Sequence, residues 1–328
     1  KCRTALQPRA PIVSPMNRLF ALLARWPLAV LHPLGSALGW LAYGLSPSYR
    51  RRLKAHARQA GLTVRQRWQA VGHAGKMVGE LPRLWGRPRD LPLGDTVQWR
   101  HPECVEQAIA EGRGILLLTP HLGCFEVTAQ AYAEWFGAIK PITALYRPAK
   151  QAWLAEMMKG ARNRPGMLTS PATLSGVRNM LRALKKGETV GLLPDQVPPE
   201  GMGVWTPFFG RSAYTMTMAA KLVAQTGCAV VLLRGERLGW LARWRKGCDY
   251  IVHASRVSPE VERVLAGGDA AQSAAAVNRL MEEMIMQAPE QYLWGYNRYK
   301  GPRAEILTSA STPAAAASAS STGNEAQP

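Results

Sequence analysis

At 328 residues with 47% hydrophobic content, the chain has material for one large core or two modest ones. A formal charge of +19, from 41 Lys+Arg against 22 Asp+Glu, implies attraction to polyanions: nucleic acid, anionic head groups or an acidic protein. Five scattered cysteines, with no C-x-x-C pair and no Cys/His cluster at zinc spacing, argue against a disulfide framework or a zinc module and read as reduced, mostly buried thiols of a cytosolic environment.

Residues 1–15 show no pattern of a packed element and read as a flexible leader. From Trp26 to Leu45 the run "WPLAVLHPLGSALGWLAYGL" carries no Asp, Glu, Lys or Arg over about the length of a membrane-crossing helix. Pro27, Pro33, Gly35 and Gly39 weaken a straight span. The alternatives are an interfacial anchor together with "MNRLFALLARW", or an internal helix hairpin packed on the rest of the domain. Arg50, Arg51, Arg52, Lys54 and Arg58 follow the run and outweigh Arg18 and Arg25 before it, which predicts that the bulk of the protein lies on the cytoplasmic side. Residues 16–59 are therefore expected to form a membrane helix with a basic flank.

Residues 60–308 alternate between helical periodicity and short apolar runs. Helices are predicted over 63–85, 102–112, 126–137, 150–163, 173–187, 215–227 and 270–287. Strands are predicted in "GILLLTP", "KPITALYR", "TVGLLP", "AVVLLRGE" and "DYIVHASRV". The fold class that follows is α/β, a single domain with a mixed central sheet flanked by helices. From residue 309 the composition turns to Ser, Ala and Thr, with too little apolar bulk to fold, and reads as a disordered tail.

The chemistry concentrates after the first of these strands, in "TPHLGCFEVTAQ". His121 follows the strand, Gly123 permits a tight turn and close approach of substrate or backbone, and Glu126 opens the next helix. A carboxylate accepting one ring N–H would leave the other nitrogen as a base near neutral pH. The bland alternative is a hydrogen-bonded histidine with Glu126 favouring the helix dipole. Cys124 is a rival nucleophile, but beside Phe125 and without a second cue it reads as packing.

Arg147 and Lys150 follow another strand, and Lys159, Arg162 and Arg164 come about one helix later; guanidinium groups there suit phosphate, while a solvated basic face is the plain alternative. Asp195 opens a long loop that contains Phe208 and Phe209, whose character suits a lipid chain better than a phosphate.

Together these residues resemble the lysophospholipid acyltransferase superfamily and, within it, the late acyltransferases of lipid A biosynthesis. The resemblance covers roughly residues 16–303: H-x4-[DE] as His121 and Glu126, "YRP" after the next strand, "LRALKKGETVGLLPDQ", the "PFFG" segment, and the closing "APEQYLWGYNRYK". Tyr296 and Asn297 stand where many relatives carry His-Arg.

The resemblance implies transfer of a fatty acyl group from acyl carrier protein to a hydroxyl of a 3-hydroxyacyl chain on a phosphorylated, Kdo-bearing lipid A precursor at the bacterial inner membrane, with the catalytic domain on the cytoplasmic side. It implies His121 as general base, Glu126 as its orienting partner, Arg147 with Arg162 or Arg164 as phosphate or phosphopantetheine ligands, Gly123 beside the substrate, and Asp195 organising the site. No metal, nucleotide or other cofactor is implied.

Other readings are a glycerophospholipid acyltransferase with a different acceptor and a hydrolase using His121 with Cys124. A nucleic-acid-binding protein fits poorly, because the basic residues are spread along the chain and the apolar N-terminal run would have no use.

Overall fold

The computed structural model describes residues 15–146, 149 and 151–302. The expected leader and tail therefore lie almost wholly outside the described residues, as does Arg147. Five helices come first: α1 (Pro15–Leu23), α2 (Leu28–Leu45), α3 (Pro47–Gln59), α4 (Val64–Gly79) and α5 (Leu81–Trp85). The charge-free run becomes α2, with Pro33 inside it.

One face of α2 lies on α4 along a seam of glycines, where a Cβ on Gly75 would stand 2.0 Å from the Gly35 carbonyl oxygen and one on Gly39 2.6 Å from that of Val71. Only glycine lets the two backbones come so close. The opposite face of α2 exposes Val30, Leu34, Leu38, Leu41 and Leu45.

A Thr63/Gln66 capping box starts α4. The helix predicted over 63–85 is two helices, because Pro82 cannot continue the α4 hydrogen-bond ladder and serves instead in the first turn of α5. The basic flank is helical too, as α3, and it buries Leu53 and Ala57 in the main core. Residues 28–59 are thus knit to the body of the molecule.

The rest alternates strand and helix: β1 (Val97–Arg100), α6 (Glu103–Ala110), β2 (Ile115–Leu118), α7 (Phe125–Phe136), β3 (Ile142–Tyr146), α8 (Ala152–Arg162), β4 (Met167–Pro171), α9 (Leu174–Lys185) and β5 (Thr189–Leu192). An antiparallel hairpin of β6 (Gly203–Phe208) and β7 (Arg211–Met216) follows. The chain then forms α10 (Met218–Thr226), β8 (Ala229–Arg237), α11 (Trp240–Lys246), β9 (Tyr250–Arg256), α12 (Pro259–Ala266) and α13 (Ala270–Met286).

Seven strands make one sheet in the order β1-β9-β8-β2-β5-β3-β4. All neighbours run parallel except β8 and β9, so the sheet is mixed as expected. Each of the five predicted strands is present, and the sheet adds β1 and β4.

Strand β2 sits centrally, and all four of its residues are buried, as a strand covered on both faces requires. Alternation sends Leu116 and Leu118 into a core shared with α3, α4 and α13, and Ile115 and Leu117 into a second core shared with α6 and α7. Strand β2 pairs in parallel with β5 so that Leu118 faces Leu192. Three residues beyond each lie His121 and Asp195. Equal steps from a parallel register bring both to the carboxyl ends of neighbouring strands, where crevices of open α/β sheets bind ligands.

Candidate active site

The register has a direct chemical result. Asp195, almost fully buried, accepts two hydrogen bonds from His121: one from the backbone N–H to Oδ2 (2.9 Å) and one from ring Nδ1 to Oδ1 (2.7 Å). With Nδ1–H donating to the carboxylate, Nε2 is left as an acceptor, and it receives the Gln196 amide at 3.1 Å. Burial works against ionising Asp195, but the adjacent imidazole, its hydrogen bonds and the more distant Arg298 outweigh it and hold the carboxyl below its ordinary range.

The carboxylate hydrogen-bonded to the His121 ring is Asp195 and not Glu126. Glu126 sits in the first turn of α7, and its oxygens are taken by other donors: Arg162 through Nε (3.2 Å to Oε2) and Nη2 (to Oε1), and Trp85 Nε1 (3.3 Å to Oε2). The Arg162 guanidinium also lies over the Trp85 ring. The neighbour of Glu126, Phe125, packs its ring 4.8 Å from that of His121.

Glu126 and the His121 imidazole border one cavity of about 370 Å³, with buried Asp195 behind the imidazole. Past His121, Gln196, Glu126 and Arg162, its wall is largely apolar and includes Ile142, Ala144, Met158, Met167, Val177 and Leu192. Its size falls in the range of small-ligand pockets. Among the described residues no group of three or more His, Cys, Asp and Glu side chains is placed to hold a metal ion.

A sequence profile of the bacterial lipid A biosynthesis acyltransferases matches residues 3–301, nearly the whole chain. The chain belongs to this family. Over 200 residues it is 30% identical to the lipid A biosynthesis palmitoleoyltransferase of Escherichia coli (strain K12), covering 60% of this chain and 59% of that protein. Over 292 residues it is 28% identical to the lipid A biosynthesis lauroyltransferase of the same strain, covering 85% and 88%. A lipid A biosynthesis acyltransferase of Haemophilus influenzae is 28% identical over 193 residues, 58% of this chain and 55% of that protein. The chain thus spans less than two thirds of the first and third of these relatives.

Two residues expected near the substrate make structural contacts. Arg164 is buried, and its guanidinium donates to the carbonyls of Ala161, Leu84, Arg87 and Pro88, leaving no face for a substrate phosphate. Gly123, at φ +57, brings its backbone against another strand: a Cβ there would lie 1.8 Å from the Gly235 carbonyl oxygen. Its conformation serves this close backbone approach. Arg162 does border the cavity, already paired with Glu126. Cys124 is buried, and burial with nearby Glu80 pushes its thiol well up, so a thiolate is disfavoured. Phe208, expected to face a lipid chain, is buried in the main core.

Sequence reasoning missed what stands behind His121. The Leu293 N–H donates to the His121 carbonyl (3.2 Å), and Gly123 N–H donates to that of Gln291 (3.0 Å). The Gln291 side chain meanwhile accepts from Arg237 N–H and donates to its carbonyl. The Tyr296 hydroxyl accepts from Val197 N–H (3.0 Å), two residues after Asp195. The closing "QYLWGYNRYK" is thus a brace for the His121 turn and the Asp195 loop. The unusual concentration of Trp, Tyr and Arg so late in the chain was the available signal.

Proposed function

We propose that the chain is an acyltransferase that moves a fatty acyl group from an acyl carrier protein thioester to a hydroxyl of a 3-hydroxyacyl chain on a phosphorylated, Kdo-bearing lipid A precursor. The observation carrying this reading is an imidazole fixed by a buried carboxylate and bordering a largely apolar cavity. Family membership supports the choice of acceptor.

In this reading the acyl chain lies in the cavity and the acceptor hydroxyl displaces the Gln196 amide from Nε2. Nε2 takes the hydroxyl proton as the oxygen attacks the thioester carbonyl, and Asp195 stabilises the imidazolium. Collapse of the tetrahedral adduct forms the ester, breaks the C–S bond, and returns the proton from Nε2 to the departing thiolate. The thioester supplies the activation, so the protein supplies position and a proton acceptor. Glu126 and Arg162 shape the cavity wall together, and Arg147 is retained as a candidate phosphate ligand.

The apolar outward face of α1 and α2 then rests on the inner membrane, with the basic residues of α3 on the cytoplasmic side. Phe20 of α1 stacks on Trp85, which donates to Glu126, so this face adjoins the cavity wall. An acidic carrier protein and a phosphorylated acceptor both suit the +19 charge.

The test is acyl transfer from acyl carrier protein with purified variants, alongside mass spectrometry of lipid A from cells with and without the protein. His121→Ala is expected to abolish transfer and Cys124→Ala to preserve it. A trapped acyl-enzyme on Cys124 would overturn direct attack, and an unchanged lipid A would overturn the acceptor and favour a glycerophospholipid.

A further inference from the structure

Away from the cavity, α11 presents an apolar face to solvent. Trp240 and Trp244 are 79% and 80% exposed, and Leu241 43%. The i, i+4 spacing sets the two indoles side by side, with Leu241 on the same face. Ala242 points the other way and packs against Leu238, Cys248 and Ile251.

This helix is fastened, not frayed. Gly239 opens it, Gly247 closes it at φ +67, and Arg243 pairs with Asp249 at 2.6 Å. The body of the protein thus holds α11 from one side and directs its tryptophans outward.

Charge and position narrow what covers it. Arg245 and Lys246 are exposed beside the tryptophans, and the helix contains no Asp or Glu. Indoles flanked by cations suit the head-group layer of an anionic bilayer, where the ring is half wet and the cation meets phosphate. Asp249, the partner of Arg243, borders one cavity with Ala24, Arg25 and Leu28, which places α11 next to the end of α1 and the start of α2. Leu19, Leu22, Trp26 and Val30 are exposed there.

We propose that α11 is a second membrane foot, in which Trp240, Leu241 and Trp244 enter the head-group region and Arg245 and Lys246 meet lipid phosphates. It adds a second contact beside the α1–α2 face, which limits rotation on the membrane where one helix alone would not. The foot is independent of the catalytic reading.

The test is flotation of the full chain with phosphatidylcholine vesicles, with and without phosphatidylglycerol, for W240S/W244S and R245E/K246E in the wild-type background and in L34S/L38S, which weakens the α2 face. W240S/W244S is expected to lower partitioning to the anionic vesicles about tenfold in both backgrounds, with thermal unfolding and transfer in detergent micelles unchanged. R245E/K246E is expected to weaken binding to the anionic vesicles alone. Unchanged partitioning of W240S/W244S in both backgrounds would overturn the foot. So would light scattering in which W240S/W244S turns a dimer into a monomer while vesicle binding persists, which would assign the face to a second copy. A null effect of L34S/L38S by itself would count against the α2 face and leave α11 standing.

Discussion

Two histidine and carboxylate clusters lie on either side of the Gly123 turn, and their fates differ. At His121 one ring nitrogen goes to buried Asp195 and the other faces the cavity. In the second cluster Glu80 is wholly enclosed: it accepts from Arg237 Nε (2.8 Å) and Nη2 (2.6 Å), from the Tyr250 hydroxyl and from His32 Nε2. Arg237 also donates to the Gly123 carbonyl (2.8 Å) and to His73 Nδ1. The same residue types leave a ring nitrogen beside a cavity in one place and form a closed clamp in the other. What separates them is whether one polar atom is left facing a ligand-sized space.

Converting the first cluster should remove chemistry and spare the fold. Asp195→Asn keeps the shape but favours the wrong tautomer of His121. Transfer is expected to fall by roughly 10³–10⁴-fold in kcat, with little change in KM, in a steady-state assay. Equal loss in Glu126→Gln and none in Asp195→Asn would reverse the assignment of the orienting group.

Breaking the second cluster should do the opposite. Glu80→Ala strands a buried guanidinium and is expected to cost roughly 3–5 kcal/mol in urea unfolding, with the transfer rate of the folded fraction largely kept.

Acid should also act on this clamp. Burial alone raises the Glu80 carboxyl, but the Arg237 charge and its hydrogen bonds outweigh that and hold it at about 2; His73, half-buried, is lowered to about 3 by desolvation and by the Arg237 charge. Both groups bind more protons unfolded than folded, so each contributes stability that is lost as pH falls. For His73 the loss runs from about 6.5 down to 3, and for Glu80 from about 4.5 down to 2. Urea midpoints from pH 7 to 3 should decline for the wild type, and less steeply once His73→Gln removes one contribution.

A smaller effect belongs to the seam that brings His32 to Glu80. Gly75→Ala puts a methyl into the Gly35 carbonyl and is expected to cost roughly 1–3 kcal/mol, measured as a lowered Tm. The smallest is Cys124→Ala, expected to leave transfer close to wild type.

How far these differences were legible in the sequence depends on the range of the contact. The unbroken "ILLL" run announced a strand, and its apolarity throughout is what its doubly covered place in the sheet requires. Glu126 drew attention because it is local to His121, while Asp195, 74 residues away, meets it only through the β2–β5 register. Local spacing suggested reach, but α7 aims Glu126 toward Trp85 and Arg162. Arg164 read as a phosphate ligand or a solvated cation because residue type says nothing of the carbonyl cage around it. The short β1 and β4 strands, the β6–β7 hairpin and α11 offer too few residues for a period to emerge.

The shared register of β2 and β5 also governs which kinds of mutation the site tolerates. Each extended residue advances the chain by about 3.3 Å, more than the latitude of a hydrogen bond. A single insertion in "TPH" or before "DQ" would therefore part His121 from Asp195 without changing either side chain. These two short spacers can vary in identity but not in length, so through this segment the site is a measure of residue count before it is a set of residues.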